Sequence, residues 1–136
     1  METISVASTQ TILLVEDEMM ILDLLHGAFI DAGYAVVMAS DGREALLELE
    51  IDADRFDGVV TDIRLGPGPD GWRIGHRARE LSPHIQVVYV SGDSGHDWLA
   101  KGVPDSTMVS KPFAVDRIVT AFPPSWFRRT PGGPGR

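Results

Sequence analysis

A chain of 136 residues, 43% hydrophobic and 24% charged, has the size and composition of one globular core, not of two full domains, a disordered chain or a membrane protein. Its net charge of −8, from 12 basic and 20 acidic residues, repels nucleic acid, and no cluster of Lys or Arg within the core region offsets it. The absence of cysteine excludes disulfides and thiolate metal sites, and suits a reducing compartment.

Residues 1–9 are an expected N-terminal extension without the basic, then apolar, pattern of a signal peptide. No apolar run reaches membrane-spanning length, so the expected location is cytoplasmic and no membrane partner is expected. Residues 11–15 are apolar and stop abruptly at Glu16-Asp17, the pattern of a strand buried on both faces.

Ile21, Leu24, Leu25 and Ala28 then recur at helical spacing and Gly33 supplies a stop, which predicts an amphipathic helix over 18–32. A second strand is predicted at 34–39 and a helix at 41–50 with Ala45, Leu46 and Leu49 inward. A third strand, 57–61, ends at Asp62, and the helix at 72–81 turns Ile74, Ala78 and Leu81 to the sheet.

The most apolar strand, 85–90, ends at Ser91-Gly92-Asp93, before a short helix at 96–101 and a brief strand at 107–109. A last helix at 114–122 carries Val115, Ile118, Val119 and Phe122, and Pro123-Pro124 stops it. Residues 123–136 are rich in Pro and Gly and read as a disordered tail, with a docking peptide of Trp126, Phe127, Arg128 and Arg129 as the alternative.

Five strands alternating with helices, joined at crossover length, require a parallel sheet covered on both faces, a doubly wound α/β domain over 10–122. In such sheets ligands bind beyond the carboxyl ends of the strands. That edge collects Glu16, Asp17, Asp62, Ser91 and Lys111.

Converging carboxylates repel one another unless a cation neutralises them, and an all-oxygen donor set selects a hard ion such as Mg²⁺. Lys111 and the Ser91 hydroxyl suit phosphoryl oxygens, which leaves Asp62 as the nucleophile that would form an aspartyl phosphate.

The motifs VED at 15–17, TDIRL at 61–65, VSG at 90–92 and SKPF at 110–113 resemble those of the response-regulator receiver domain of two-component signalling. The resemblance implies a flavodoxin-like fold of strand order 2-1-3-4-5, in a stand-alone module that takes a phosphoryl group on Asp62 and signals by changing shape. The donor would be a sensor histidine kinase or a histidine phosphotransfer protein, and the receiver of the signal a downstream protein.

Asp17, Asp62 and the Arg64 backbone carbonyl would bind Mg²⁺ directly, Glu16 through water, and the Lys111-Pro112 bond would be cis. A homodimer through the fourth helix, fifth strand and fifth helix is a further implied partner. Such a module catalyses its own phosphorylation and slow dephosphorylation but is not an enzyme acting on a separate substrate. Two features depart from the family pattern: Met108 stands where an aromatic switch residue is usual, and the loop RLGPGPDGW after Asp62 is longer and richer in Gly and Pro.

Other readings compete at each position. Gly66, Gly68 and Gly71 match a dinucleotide-binding spacing, but Pro67 and Pro69 lack the N–H groups that a phosphate cradle needs. Taken singly, Asp62 or Glu16-Asp17 could cap a helix, Ser91 could be a turn residue and Lys111 a solvated charge. His26, His76, His84 and His96 show no ligand spacing and read as surface residues.

An aspartyl-phosphate-forming phosphohydrolase would place an acid two positions after the nucleophile, where this chain has Arg64; a receiver-like module that only binds partners is the third class. With the strand order that the resemblance implies, Arg64 and Asp93 would follow neighbouring strand ends and should meet over the mouth of the site, shielding the phosphoryl group from water.

Overall fold

The computed structural model describes residues 9–93 and 95–122. Five parallel strands form one sheet: β1 (Thr11–Val15), β2 (Ala35–Ala39), β3 (Gly58–Asp62), β4 (Gln86–Ser91) and β5 (Thr107–Ser110). Their order is β2-β1-β3-β4-β5, the flavodoxin-like order expected. The central β3 is buried at every residue, as a strand covered on both faces must be, whereas Met38 on the edge strand β2 is 44% exposed.

Helices α1 (Met19–Asp31), α2 (Gly42–Asp52), α3 (Gly71–Leu81), α4 (Trp98–Lys101) and α5 (Val115–Val119) cover the sheet. Alternation along the strands splits the core in two. Leu13, Val15, Val59, Val87 and Tyr89 pack with α2 and α3, while Ile12, Leu14, Val60, Val88 and Val90 pack with α1 and α5.

Two helices differ from expectation. The buried face of α1 is Leu22, Leu25 and Phe29, and Leu24 is 59% exposed. The segment is apolar around most of its circumference, so spacing alone admits two phases one residue apart. The bulk of Phe29 selects one, its ring meeting Tyr34 and Phe122 edge-on at centroid distances of 5.4 and 5.7 Å.

The last helix ends at Val119, and Thr120–Phe122 continues as tighter turns, with Ala121 N–H donating to Ile118 and Phe122 N–H to Val119. Phe122 keeps its inward position and is buried. The expected tail at 123–136, with Trp126, Phe127, Arg128 and Arg129, lies outside the described residues, as does all but the last residue of the expected N-terminal extension.

Candidate phosphoacceptor site

The strand register brings the predicted residues to one edge. Asp62 closes β3 opposite Val90, and Ser91 closes β4 opposite Ser110. Lys111 follows directly: its backbone N–H donates to the Ser91 carbonyl at 2.8 Å, which docks the start of the next loop beside β4. The Lys111-Pro112 peptide is cis, as the resemblance implies.

Beyond β1, Glu16 N–H donates to the Ala39 carbonyl at 3.2 Å and prolongs the ladder by one residue before α1 begins. Oxygens of Glu16, Asp17 and Asp62 lie within 4.8 Å of one another, the one such acidic group among the described residues. Glu16 is 2% exposed and Asp62 6%, whereas Asp17 faces solvent.

Burial pushes the Glu16 carboxyl up to about 7. The N–H of Glu18, 3.1 Å from Glu16 Oε2, and the charge of Lys111 work against this rise, while repulsion from Asp62 adds to it. Glu16 therefore both accepts from the backbone just before α1 and belongs to the cluster.

Lys111 Nζ lies 2.8 Å from Asp62 Oδ2 and 3.6 Å from Glu16 Oε1. Burial opposes its charge, but the Asp62 hydrogen bond and the attraction of Asp62, Glu16 and Glu18 outweigh burial and hold its pKa above the ordinary lysine value. One ammonium does not balance three carboxylates, and the three-oxygen donor set that remains fits a hard divalent cation.

Ser91 is 3% exposed, and its Oγ accepts from Asp93 N–H at 3.2 Å. Arg64 Nε and Asp93 Oδ1 stand 3.1 Å apart with both side chains largely exposed, so the two residues do meet over the mouth. Arg64 N–H points to Asp62 Oδ1 at 3.4 Å. The cleft so bounded is about 470 Å³ and lined by Asp17, Asp62, Arg64, Ser91, Asp93 and Lys111, with Glu18 at its rim.

The glycine-rich loop serves the fold around this cleft. Gly66 and Gly68 take φ of +77° and +97°, and a Cβ on Gly71 would lie 2.3 Å from the Asp62 carbonyl oxygen. Its glycines thus let the loop turn and return close behind Asp62, with no phosphate cradle.

The four histidines stand apart from the cluster; His76 Nε2 lies 2.7 Å from the Lys101 carbonyl oxygen, and His84 and His96 are exposed. Met108 is not in the cleft. It packs half-buried on the α2–α3 side of the sheet, opposite Tyr89 in the β4–β5 register.

Two residues escaped the sequence reading. Tyr89 is fully buried, its hydroxyl accepts from Val103 N–H at 3.2 Å, and a Cβ on Gly75 would lie 2.2 Å from that hydroxyl. A glycine in the middle of an otherwise ordinary helix is the sequence signal for this close approach. The other is Glu18, whose Oε1 reaches to 3.5 Å from Lys111 Nζ.

The response regulator receiver domain family matches residues 12–122. The chain is similar to an uncharacterized transcriptional regulatory protein, YbdJ, of Bacillus subtilis, 34% identical over 104 residues that make up 75% of this chain and 44% of that protein. The chain spans about half or less of the length of the curated relatives it matches.

Among solved structures, a response regulator receiver protein from Sinorhizobium medicae is 41% identical, with a TM-score of 0.80 over 84% of this chain and 91% of that one. The receiver domain of a sensor histidine kinase from Pseudomonas aeruginosa, with a magnesium ion coordinated in its active-site cleft, shares the fold: TM-score 0.70, 22% identity, 84% of this chain and 94% of that one. The sheet order, the acidic strand-end cluster and the family match over residues 12–122 agree, and the chain belongs to the response regulator receiver domain family.

Proposed function

We propose that Asp62 accepts a phosphoryl group from a phosphohistidine on a sensor histidine kinase or histidine phosphotransfer protein, and that the domain signals to a downstream protein by changing shape. The observation that carries this reading is the 2.8 Å contact between Lys111 Nζ and Asp62 Oδ2 beside two further carboxylates. Phosphoryl transfer asks for little beyond positioning and charge neutralisation, which is what this group of side chains can supply.

In this reading Asp17, Asp62 and the Arg64 carbonyl would hold Mg²⁺, with Glu16 acting through water. When bound, the ion neutralises charge on the transferring phosphoryl oxygens. Asp62 supplies the attacking oxygen, Lys111 takes up one phosphoryl oxygen, and the Ser91 hydroxyl, whose oxygen accepts from Asp93 N–H, donates its proton to another.

The pull on Ser91 travels along β4 toward Tyr89 and Met108, and the surface of α4, β5 and α5 is the expected output and homodimer face. The protein so read works in the cytoplasm as a phosphoacceptor that promotes its own phosphorylation and slow dephosphorylation, not as an enzyme on a separate substrate.

Incubation with acetyl phosphate and Mg²⁺ separates the three classes: one stable label per chain supports the phosphoacceptor, rapid turnover a phosphohydrolase, and no label a module that only binds. Against turnover stands Arg64, paired with Asp93, where a hydrolase needs its general acid.

A further inference from the structure

The run Glu16-Asp17-Glu18 supplies three consecutive carboxylates, and the metal reading uses only the first two. Glu18 is the N-cap residue of α1, a position where a side-chain oxygen ordinarily accepts from the first turn, yet its carboxylate makes no such bond. It leans instead across the chain to within 3.5 Å of Lys111 Nζ.

The two inner partners of Lys111, Asp62 and Glu16, have side chains only 7% and 2% exposed, whereas that of Glu18 is 63% exposed, on the solvent side of the lysine. Glu18 also lines the cleft by which a donor must enter.

The charges show why this matters. A divalent cation together with Lys111 would balance Glu16, Asp17 and Asp62, and Arg64 is paired with Asp93, so among the described residues that line the cleft Glu18 would be the surplus negative charge at the mouth. An incoming phosphoryl dianion meets it before it meets Lys111.

Building on the phosphoacceptor reading, we propose that Glu18 is a donor-selecting residue: its carboxylate, set beside Lys111 at the rim of the cleft, disfavours small free phosphoryl dianions. A protein-borne phosphohistidine escapes this penalty, because the donor's own surface can present a cation or N–H group to Glu18 as it docks. With any donor the balance is the same. Asp62 forms the new P–O bond, and the donor's P–O or P–N bond breaks with its electron pair going to the leaving group.

The test compares acetyl phosphate, a dianion near neutral pH, with phosphoramidate, largely a monoanion there, on the full chain with Mg²⁺ and labelling followed by intact mass. Glu18→Gln should raise the second-order labelling rate with acetyl phosphate about threefold to tenfold at low salt, and with phosphoramidate by less than about twofold. The gain should vanish near 1 M salt, where the Debye length is about 3 Å, and Glu18→Asp should keep most of the wild-type discrimination.

A purely structural role for Glu18 would move both donors equally and ignore salt. Equal factors for the two donors, or a lower rate with acetyl phosphate in Glu18→Gln, would overturn the proposal. If neither donor labels the wild-type chain, the phosphoacceptor reading itself fails, and the selectivity proposal fails with it.

Discussion

The two ends of the sheet are built on opposite principles. At the amino ends of the strands Phe29, Tyr34 and Phe122 interlock edge-on, and Gly58 at the start of β3 has no Cβ because one would lie 2.2 Å from the Phe122 ring. At the carboxyl ends three acidic side chains face one another with a single lysine between them. The first end is optimised for packing, whereas the second holds repulsion that a better-packed set of residues would remove. Stability should therefore depend on the aromatic end and chemistry on the acidic end, with little overlap.

The largest effect expected is on stability. Phe29→Ala removes a fully buried ring with two aromatic neighbours and should lower the unfolding free energy by about 3–5 kcal/mol, measured by urea denaturation. The fraction that remains folded should still be labelled by acetyl phosphate at the wild-type rate. A labelling defect greater than the unfolded fraction would show that the two ends are coupled.

A cation should connect the two properties from the other side. In the proposed reading Mg²⁺ would bind only the assembled strand ends, so a concentration ten times its dissociation constant should raise stability by about 1.4 kcal/mol. Asp17→Asn should weaken this shift and the labelling together. A melting temperature that does not respond to millimolar Mg²⁺ would count against the metal site.

The smallest effect concerns lifetime. The Arg64–Asp93 pair is exposed and contributes little to stability, but its guanidinium stands at the mouth of the cleft that holds Asp62 and offers no general base. Arg64→Ala should shorten the life of the label about twofold to fivefold, corresponding to about 0.4–1 kcal/mol in barrier height, and Asp93→Ala should do so less. Loss of label at the wild-type rate in both variants would remove the shielding role.

The aromatic end was hard to read in sequence and the acidic end comparatively easy, for a physical reason. Strand ends are marked locally by an abrupt change from apolar to acidic, so Glu16, Asp17 and Asp62 announce themselves, and adjacency of their strands is enough to bring Arg64 to Asp93. The strand order itself came from family resemblance; alternation alone required only a parallel sheet.

Helix phase in α1 was ambiguous because Ile21, Leu22, Leu24, Leu25, Ala28 and Phe29 offer apolar surface on most sides, and only the aromatic contacts choose among them. Tyr89 and Glu18 were missed because their roles depend on contacts between separate elements: a hydroxyl reaching Val103 N–H in the segment before β5, and a carboxylate meeting a lysine 93 residues away.

The central claim is that Asp62 accepts the phosphoryl group and contributes nothing essential to folding. Its most direct test pairs intact-mass labelling with thermal unfolding in Asp62→Ala, without and with Mg²⁺. The account predicts complete loss of label together with an unchanged or higher melting temperature in the absence of Mg²⁺, since one of three mutually repelling carboxylates is gone. Undiminished label in the variant, or its collapse into an unfolded chain, would contradict it.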